Sequence, residues 1–134
     1  MIKMNIPKNY EDLLIDKNFA HIATINPDGS PQVTPVWVDF DKEKNEILVN
    51  TAKGRKKARN LKIGSKVALS IQDHTNPYRY IGIQGKVTEV TTKGALNHIN
   101  SLASKYMEKD KYPLPEGEIR ILIRIKPLFV HTMG

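Results

Sequence analysis

Six of the ten residues from Lys53 to Lys62 are cationic: Lys53, Arg55, Lys56, Lys57, Arg59 and Lys62. No acidic residue stands between Glu46 and Asp73, so the carboxylates that usually sit one helical turn from such charges are missing. Like charges this close repel, and water, nucleic acid or the phosphate of a small ligand could offset them. From Arg55 to Lys62 the chain has no proline, glycine or β-branched residue, which predicts a helix ended by Gly64, with Ala58, Leu61 and the stem of Lys62 turned inward. Arg55, Lys56 and Lys57 then fall in the first turn, where cations oppose the helix dipole. A phosphate at that end would reverse the penalty, because free N–H groups and cations would converge on it. The plain alternative is a solvated charged face.

Other chemistry is sparse. There is no cysteine, so disulfides and thiolate catalysis are excluded. His21, His74, His98 and His131 are dispersed without metal-ligand spacing, so no metal is expected. No nucleophile elbow, HExxH or P-loop is present, which leaves no catalytic side chain to name; an enzyme here needs its chemistry from a cofactor. A net charge of +7 favours anionic partners without choosing among them. A basic barrel that binds single-stranded nucleic acid is the alternative of another class. That mode wants aromatic platforms between the cations, and Lys53 to Gly64 has none; Tyr78 and Tyr80 flank Arg79 elsewhere.

These residues need a scaffold. At 134 residues, residues 1–134 are expected to form one domain. No apolar run is long enough to cross a bilayer, and "MIKMNIPKNYED" lacks the features of a secretory leader, so a cytoplasmic protein is expected. "PKNYEDLLIDK" reads as a short helix with Pro7 in its first turn. "FAHIATIN" alternates as a strand, "NPDGSP" is a turn, and "QVTPVWVDFD" returns as the hairpin partner. Pro35 must lie at an edge or a break, since it cannot donate to a ladder. "EILVNT", "SKVALSIQD", "YRYIGIQGKVTEV" and "IRILIRIKPLFVH" are further strands, with Gly82 and Gly85 marking bends or close approaches. "KGALNHINSLASKYME" is an amphipathic helix with Leu96, Ile99, Leu102, Ala103 and Tyr106 inward. The expected fold is mainly β, a six-stranded antiparallel, partly open barrel with peripheral helices. Its interior fills with side chains, so a ligand belongs in an outer cleft or an interface.

Three segments carry a more specific signal: "FAHIATINPDGSPQVTPVWVDFD", "ILVNTAKGRKKARNL" and "NPYRYIGIQGKVTEV", in that order. Together, from Phe19 to Val90, they resemble the pyridoxamine 5'-phosphate oxidase-like FMN-binding split-barrel superfamily, and within it the deazaflavin-dependent reductase group. The resemblance implies a homodimer with cofactor sites at the interface, and hydride transfer between coenzyme F420, or alternatively FMN, and a small organic substrate; a cofactor-binding protein is the other role it admits. It implies that Gln32, Thr34, Pro35 and Val36 line the cofactor ring. Asn50 and Thr51 would donate to phosphate or ribityl oxygens. Arg55 and Lys57 would grip the phosphate, with Lys56 and Asn60 nearby. Tyr78 and Tyr80 would come from the region near the partner subunit's site.

Overall fold

The computed structural model describes residues 5–134; the first four residues of the amino-terminal stretch read above lie outside them. After a 3-10 turn at Lys8–Tyr10 come α1 (Glu11–Ile15), β1 (Ala20–Ile25), β2 (Pro31–Val36), β3 (Asp39–Asp41), β4 (Glu46–Ala52), α2 (Lys56–Asn60), β5 (Lys66–Gln72), β6 (Tyr80–Thr91), α3 (Ala95–Met107) and β7 (Arg120–Met133). The strands form one sheet in the order β2-β1-β5-β6-β7-β4-β3, and every pair is antiparallel.

The order of the sheet dictates its shape. β2 and β3 are its two edges, yet only Trp37 and Val38 separate them in sequence. Seven strands laid flat would put those edges about 29 Å apart at ~4.8 Å per step. Three residue steps of extended chain reach only about 11 Å. The sheet must therefore curl until its edges nearly meet, which makes a split barrel. Leu13, Ile22, Ile47, Val49, Leu69, Ile71, Ile81, Ile83, Ile123 and Ile125 fill it and are almost wholly buried.

The expected six strands become seven because "QVTPVWVDFD" is two strands on opposite edges. The apolar run Val36, Trp37, Val38 breaks the alternation that a single strand would show. Tyr106 of α3 pins the break. Its hydroxyl accepts the Val38 N–H at 3.1 Å and donates to the Asn18 carbonyl at 2.6 Å. Its ring stacks on Trp37 with centroids 5.2 Å apart. Burial pushes the Tyr106 phenol up to about 12.

Pro35 does lie on an edge strand, opposite His21. On α3 the inward face is Ala95, Ile99, Leu102, Ala103 and Tyr106, whereas Leu96 is half exposed. Leu96 sits about 100° round the helix from Ala95, outside the stripe. Both strand glycines mark close approaches: a Cβ on Gly82 would meet the His131 ring, and one on Gly85 would stand 2.9 Å from the Lys126 carbonyl. Among the described residues, no helix is long and apolar enough to cross a membrane.

Candidate functional site

α2 differs from its expectation in length and in partners. It has one turn, Lys56–Asn60, with Arg55 as the extended residue before it. Leu61 leaves the helix to become fully buried in the barrel, and Gly64 turns the chain further on, at φ +91°. Ala58 is half-buried and Lys62 exposed. So short a helix has a weak dipole, and the case for an anion must rest on side chains. Arg55 also has an acid partner that no local pattern reveals: Glu118, 63 residues on, at 3.0 Å.

The side chains do converge. A cleft of about 200 Å³ lies between the end of β2, the strand–helix junction after β4 and the start of β7. Arg55, Lys57 and Arg120 line one side with Asn50. Phe19, Pro35, Val36, Trp37 and Tyr112 form an apolar and aromatic side, closed by Ile99 of α3. Burial, then the neighbouring charges of Arg55 and Arg120, hold the Lys57 amine below its ordinary value. Three cations thus face one small space, a field that an anion would relieve.

A wider groove of about 820 Å³ runs between the amino-terminal segment and the β3–β4 turn. It mixes Lys8, Lys42, Lys44 and Lys126 with Glu11, Glu43 and Glu46, so its cations stand among nearly as many acids.

Arg120 is the main residue that sequence reading missed. It opens the apolar strand "RILIRI" yet is 6% exposed, which is uncommon for arginine. A charged residue beginning such a run was the available signal. Asn50 orients it: Asn50 Oδ1 accepts from Arg120 Nε at 2.9 Å. The Asn50 amide group donates to the Ala95 carbonyl at 2.9 Å and meets His98 Nδ1 at 3.1 Å. His98 Nε2 lies 3.5 Å from Asp39 Oδ2, so a polar chain runs from β3 through α3 and β4 to the cleft. The Arg120 guanidinium also stacks 4.9 Å over Tyr112. Its Nη1 is buried without a hydrogen-bond partner.

The remaining predicted residues are placed as follows. Pro35, Val36, Asn50, Arg55 and Lys57 meet in the cleft. Gln32 and Thr34 share the barrel-facing side of β2 with Val36 and are half-buried; Gln32 Oε1 has no partner. Thr51 is fully buried on the face of β4 opposite Asn50, in the row of Ile47 and Val49, and its Oγ1 is unpartnered. Lys56 is exposed. The Asn60 amide donates to Thr24 Oγ1 at 3.1 Å and Asn26 Oδ1 at 2.9 Å, which ties α2 to β1. Tyr78 is exposed and Tyr80 packs edge-on against His131; neither lines the cleft.

The pyridoxamine 5'-phosphate oxidase family profile matches residues 6–133. The chain therefore belongs to that family, and its fold is the family's split barrel. Among solved structures it is similar to an F420 reductase, with 31% identity and a TM-score of 0.82 over 94% of this chain and 98% of that one. A conserved hypothetical protein from Mycobacterium tuberculosis shares the fold at 21% identity and TM-score 0.75, over 98% of this chain and 86% of that one. So does the haem storage protein HutZ from Vibrio cholerae, at 13% identity and TM-score 0.67, over 98% and 96%. A search of curated proteins finds no match.

Proposed function

We propose that the cleft holds the phosphate of a flavin-type cofactor and that the protein is a cofactor-dependent oxidoreductase. The observation that carries this is the convergence of Arg55, Lys57 and Arg120 on one small cleft with aromatic residues on its other side. The donor set fits a phosphate ester, and the buried Arg120 Nη1 has no hydrogen-bonded acceptor, only the Glu118 Oε2 charge at 3.3 Å. The aromatic side suits a planar ring. A cleft this small suits one such group better than an extended nucleic-acid strand.

The coenzyme we favour is the deazaflavin F420, with FMN second. The 31% identical relative is an F420 reductase. Lys53, Arg59 and Lys62 are exposed around the cleft's cationic helix, where they suit a ligand whose acidic tail continues past its phosphate. Bound there, the cofactor ring supplies the hydride chemistry toward a small organic substrate. The protein's own part is to fix the phosphate with Arg55, Lys57 and Arg120, and to shield the ring with Trp37 and Pro35.

The site reading includes a homodimer. The outward rows of the sheet carry Val33, Ala23, Ala68, Gln84 and Phe129 side by side, with Ile25 nearby. Val33, Ile25 and Phe129 are each at least half exposed, and a groove of about 330 Å³ is lined by Ile25, Ala23, Ala68, Gln84 and Phe129. A second copy covering this face would remove that apolar area from water. Tyr80, on the same face two residues from Gly82, would then approach the partner.

Titration calorimetry with FMN, deazaflavin and single-stranded DNA, at low and high salt, tests the reading. The expected result is that deazaflavin binds tightest, salt erodes its advantage, and Lys57→Ala weakens both cofactors by about one to two decades. Tighter binding of FMN, indifferent to salt, would make FMN the cofactor. Preference for DNA would sink the oxidoreductase. Light scattering should give a dimer mass.

A further inference from the structure

One acid, Glu118, reaches two of the cleft's cations from beside the cleft rather than from its lining. Glu118 Oε1 accepts from Arg55 Nη2 at 3.0 Å, and its Oε2 lies 3.3 Å from Arg120 Nη1. One carboxylate thus spans two guanidinium groups from different elements. The fit is incomplete, because Glu118 Oε2 and Arg120 Nη1 are buried and neither has a hydrogen-bond partner. Leaving charged groups unsatisfied in this way is costly, so a better-shaped acceptor would have an advantage. Lys57 adds a third cation that Glu118 does not pair.

The segment that carries Glu118 is held at its two ends and exposed between them. It closes the connection of residues 108–119 between α3 and β7. That connection is fastened midway: the Tyr112 N–H donates to Asn100 Oδ1 at 2.8 Å, and the Tyr112 ring lies under Arg120. At its far end the Lys53 N–H donates to the Ile119 carbonyl at 2.9 Å. Between these anchors Pro113 to Gly117 is exposed, the Glu118 N–H closes a turn on the Pro115 carbonyl at 3.1 Å, and Gly117 sits at φ +78° next to Glu118. The Glu118 side chain can therefore rotate away from the arginines while Tyr112 and Ile119 stay in place.

We propose that Glu118 is a specificity-determining residue, an internal carboxylate that stands in the place of the ligand's anion and must be displaced from Arg55 and Arg120 when that ligand binds. The inference rests on reading the cleft as a phosphate site. A phosphate ester, dianionic where it ends FMN and singly charged where an acidic tail continues past it, offers two arginines and a lysine more acceptor oxygens than one tethered carboxylate does. A neutral planar molecule does not, and is left without the cationic contacts. Glu118 thereby screens for ligands that carry a phosphate, and ligand entry frees residues 113–118.

The test uses the full chain with three probes: FMN, riboflavin, which has the same ring without a phosphate, and inorganic pyrophosphate. Parent, Glu118→Gln and Lys57→Ala are titrated with each. Glu118→Gln should bind FMN and pyrophosphate about tenfold tighter, since no charge-assisted contact must be given up, and should bind riboflavin as the parent does. In the parent, cleavage by a glutamate-specific protease at Glu116 and Glu118 should increase when FMN is added. If Glu118→Gln binds FMN no tighter while Lys57→Ala binds it more weakly, the cleft is a phosphate site and the displacement is wrong. If both variants bind FMN like the parent, the phosphate reading falls as well. FMN that protects Glu116 and Glu118 from cleavage would also overturn the displacement, and this readout does not depend on any variant folding.

Discussion

Replacing Asn50 by alanine should damage the protein in two separable ways. The Asn50 side chain holds Arg120 Nε at 2.9 Å and the Ala95 carbonyl at 2.9 Å, with His98 Nδ1 at 3.1 Å. Alanine removes all three contacts from a place where Asn50 is 9% exposed and Arg120 6%. Losing the charge-assisted contact costs about 1.5–3 kcal/mol and losing the neutral one about 1 kcal/mol. Allowing for water entering the space, the variant should be less stable by about 3 kcal/mol, with a Tm lower by on the order of 10 °C for a domain of this size. Urea denaturation gives the first figure and calorimetry the second. FMN affinity, measured on the folded fraction, should also fall, because nothing then aims the guanidinium. Asn50→Asp tells polar geometry from charge: it keeps the Arg120 contact but turns a carboxylate toward the Ala95 carbonyl, so it should also destabilise. An Asn50→Ala protein within about 0.5 kcal/mol of its parent, the range of ordinary surface changes, would refute the account of Asn50 as the joint of this network.

Lys57 should make ligand affinity depend on pH. Its amine is depressed in the free cleft and a bound phosphate would raise it, so affinity is full below the depressed value and is lost as pH rises toward the ordinary lysine range; Lys57→Arg should abolish the slope, and flat affinity in the parent through alkaline pH would count against the placement. Gly85→Ala should destabilise more than Gly82→Ala, because its Cβ meets the Lys126 carbonyl at 2.9 Å and Ile125 Cγ2 at 2.6 Å, whereas Gly82 is crowded only by the movable ring of His131; equal midpoints in urea would contradict this. Tyr106→Phe leaves the Val38 N–H and the Asn18 carbonyl without the partner they share, and should cost about 1–3 kcal/mol in the same assay.

Local pattern carried the elements and the hairpins, because β1–β2, β3–β4 and β5–β6 each join strands that follow one another in sequence. β1 and β2 meet through "NPDGSP", where Asp28 accepts from the Ser30 N–H at 3.0 Å, and β1 buries Ala20, Ile22 and Thr24 as its alternation requires. Pattern failed where distant residues decide. Nothing within "QVTPVWVDFD" announces that a tyrosine 68 residues from Val38 will accept its N–H. Half of the cationic cleft was readable from Arg55 and Lys57, which stand in one obvious cluster. The other half was not, because Arg120 reaches it from the far end of the chain, and its one signal, a charge opening an apolar strand, does not say which element it will face. Asn50 was singled out for a ligand-facing role; the structure shows its amide also committed to Ala95 and His98 inside the protein.

The two-residue link between β2 and β3 has a kinetic consequence. The β1–β2 hairpin and the β3–β4 hairpin can each form from neighbouring residues, so both are available early. Neither can be placed relative to the other until β7 arrives, because β4 pairs on its free side with Arg120–Ile125. During synthesis the first half of the chain therefore emerges as two hairpins on a leash, with Trp37 at the leash and no ring yet to stack upon, since Tyr106 is also still to come. Closure is then a single late event at the carboxy-terminal strand. The environment of Trp37, the only tryptophan in the chain, reports that event in stopped-flow fluorescence without any added label.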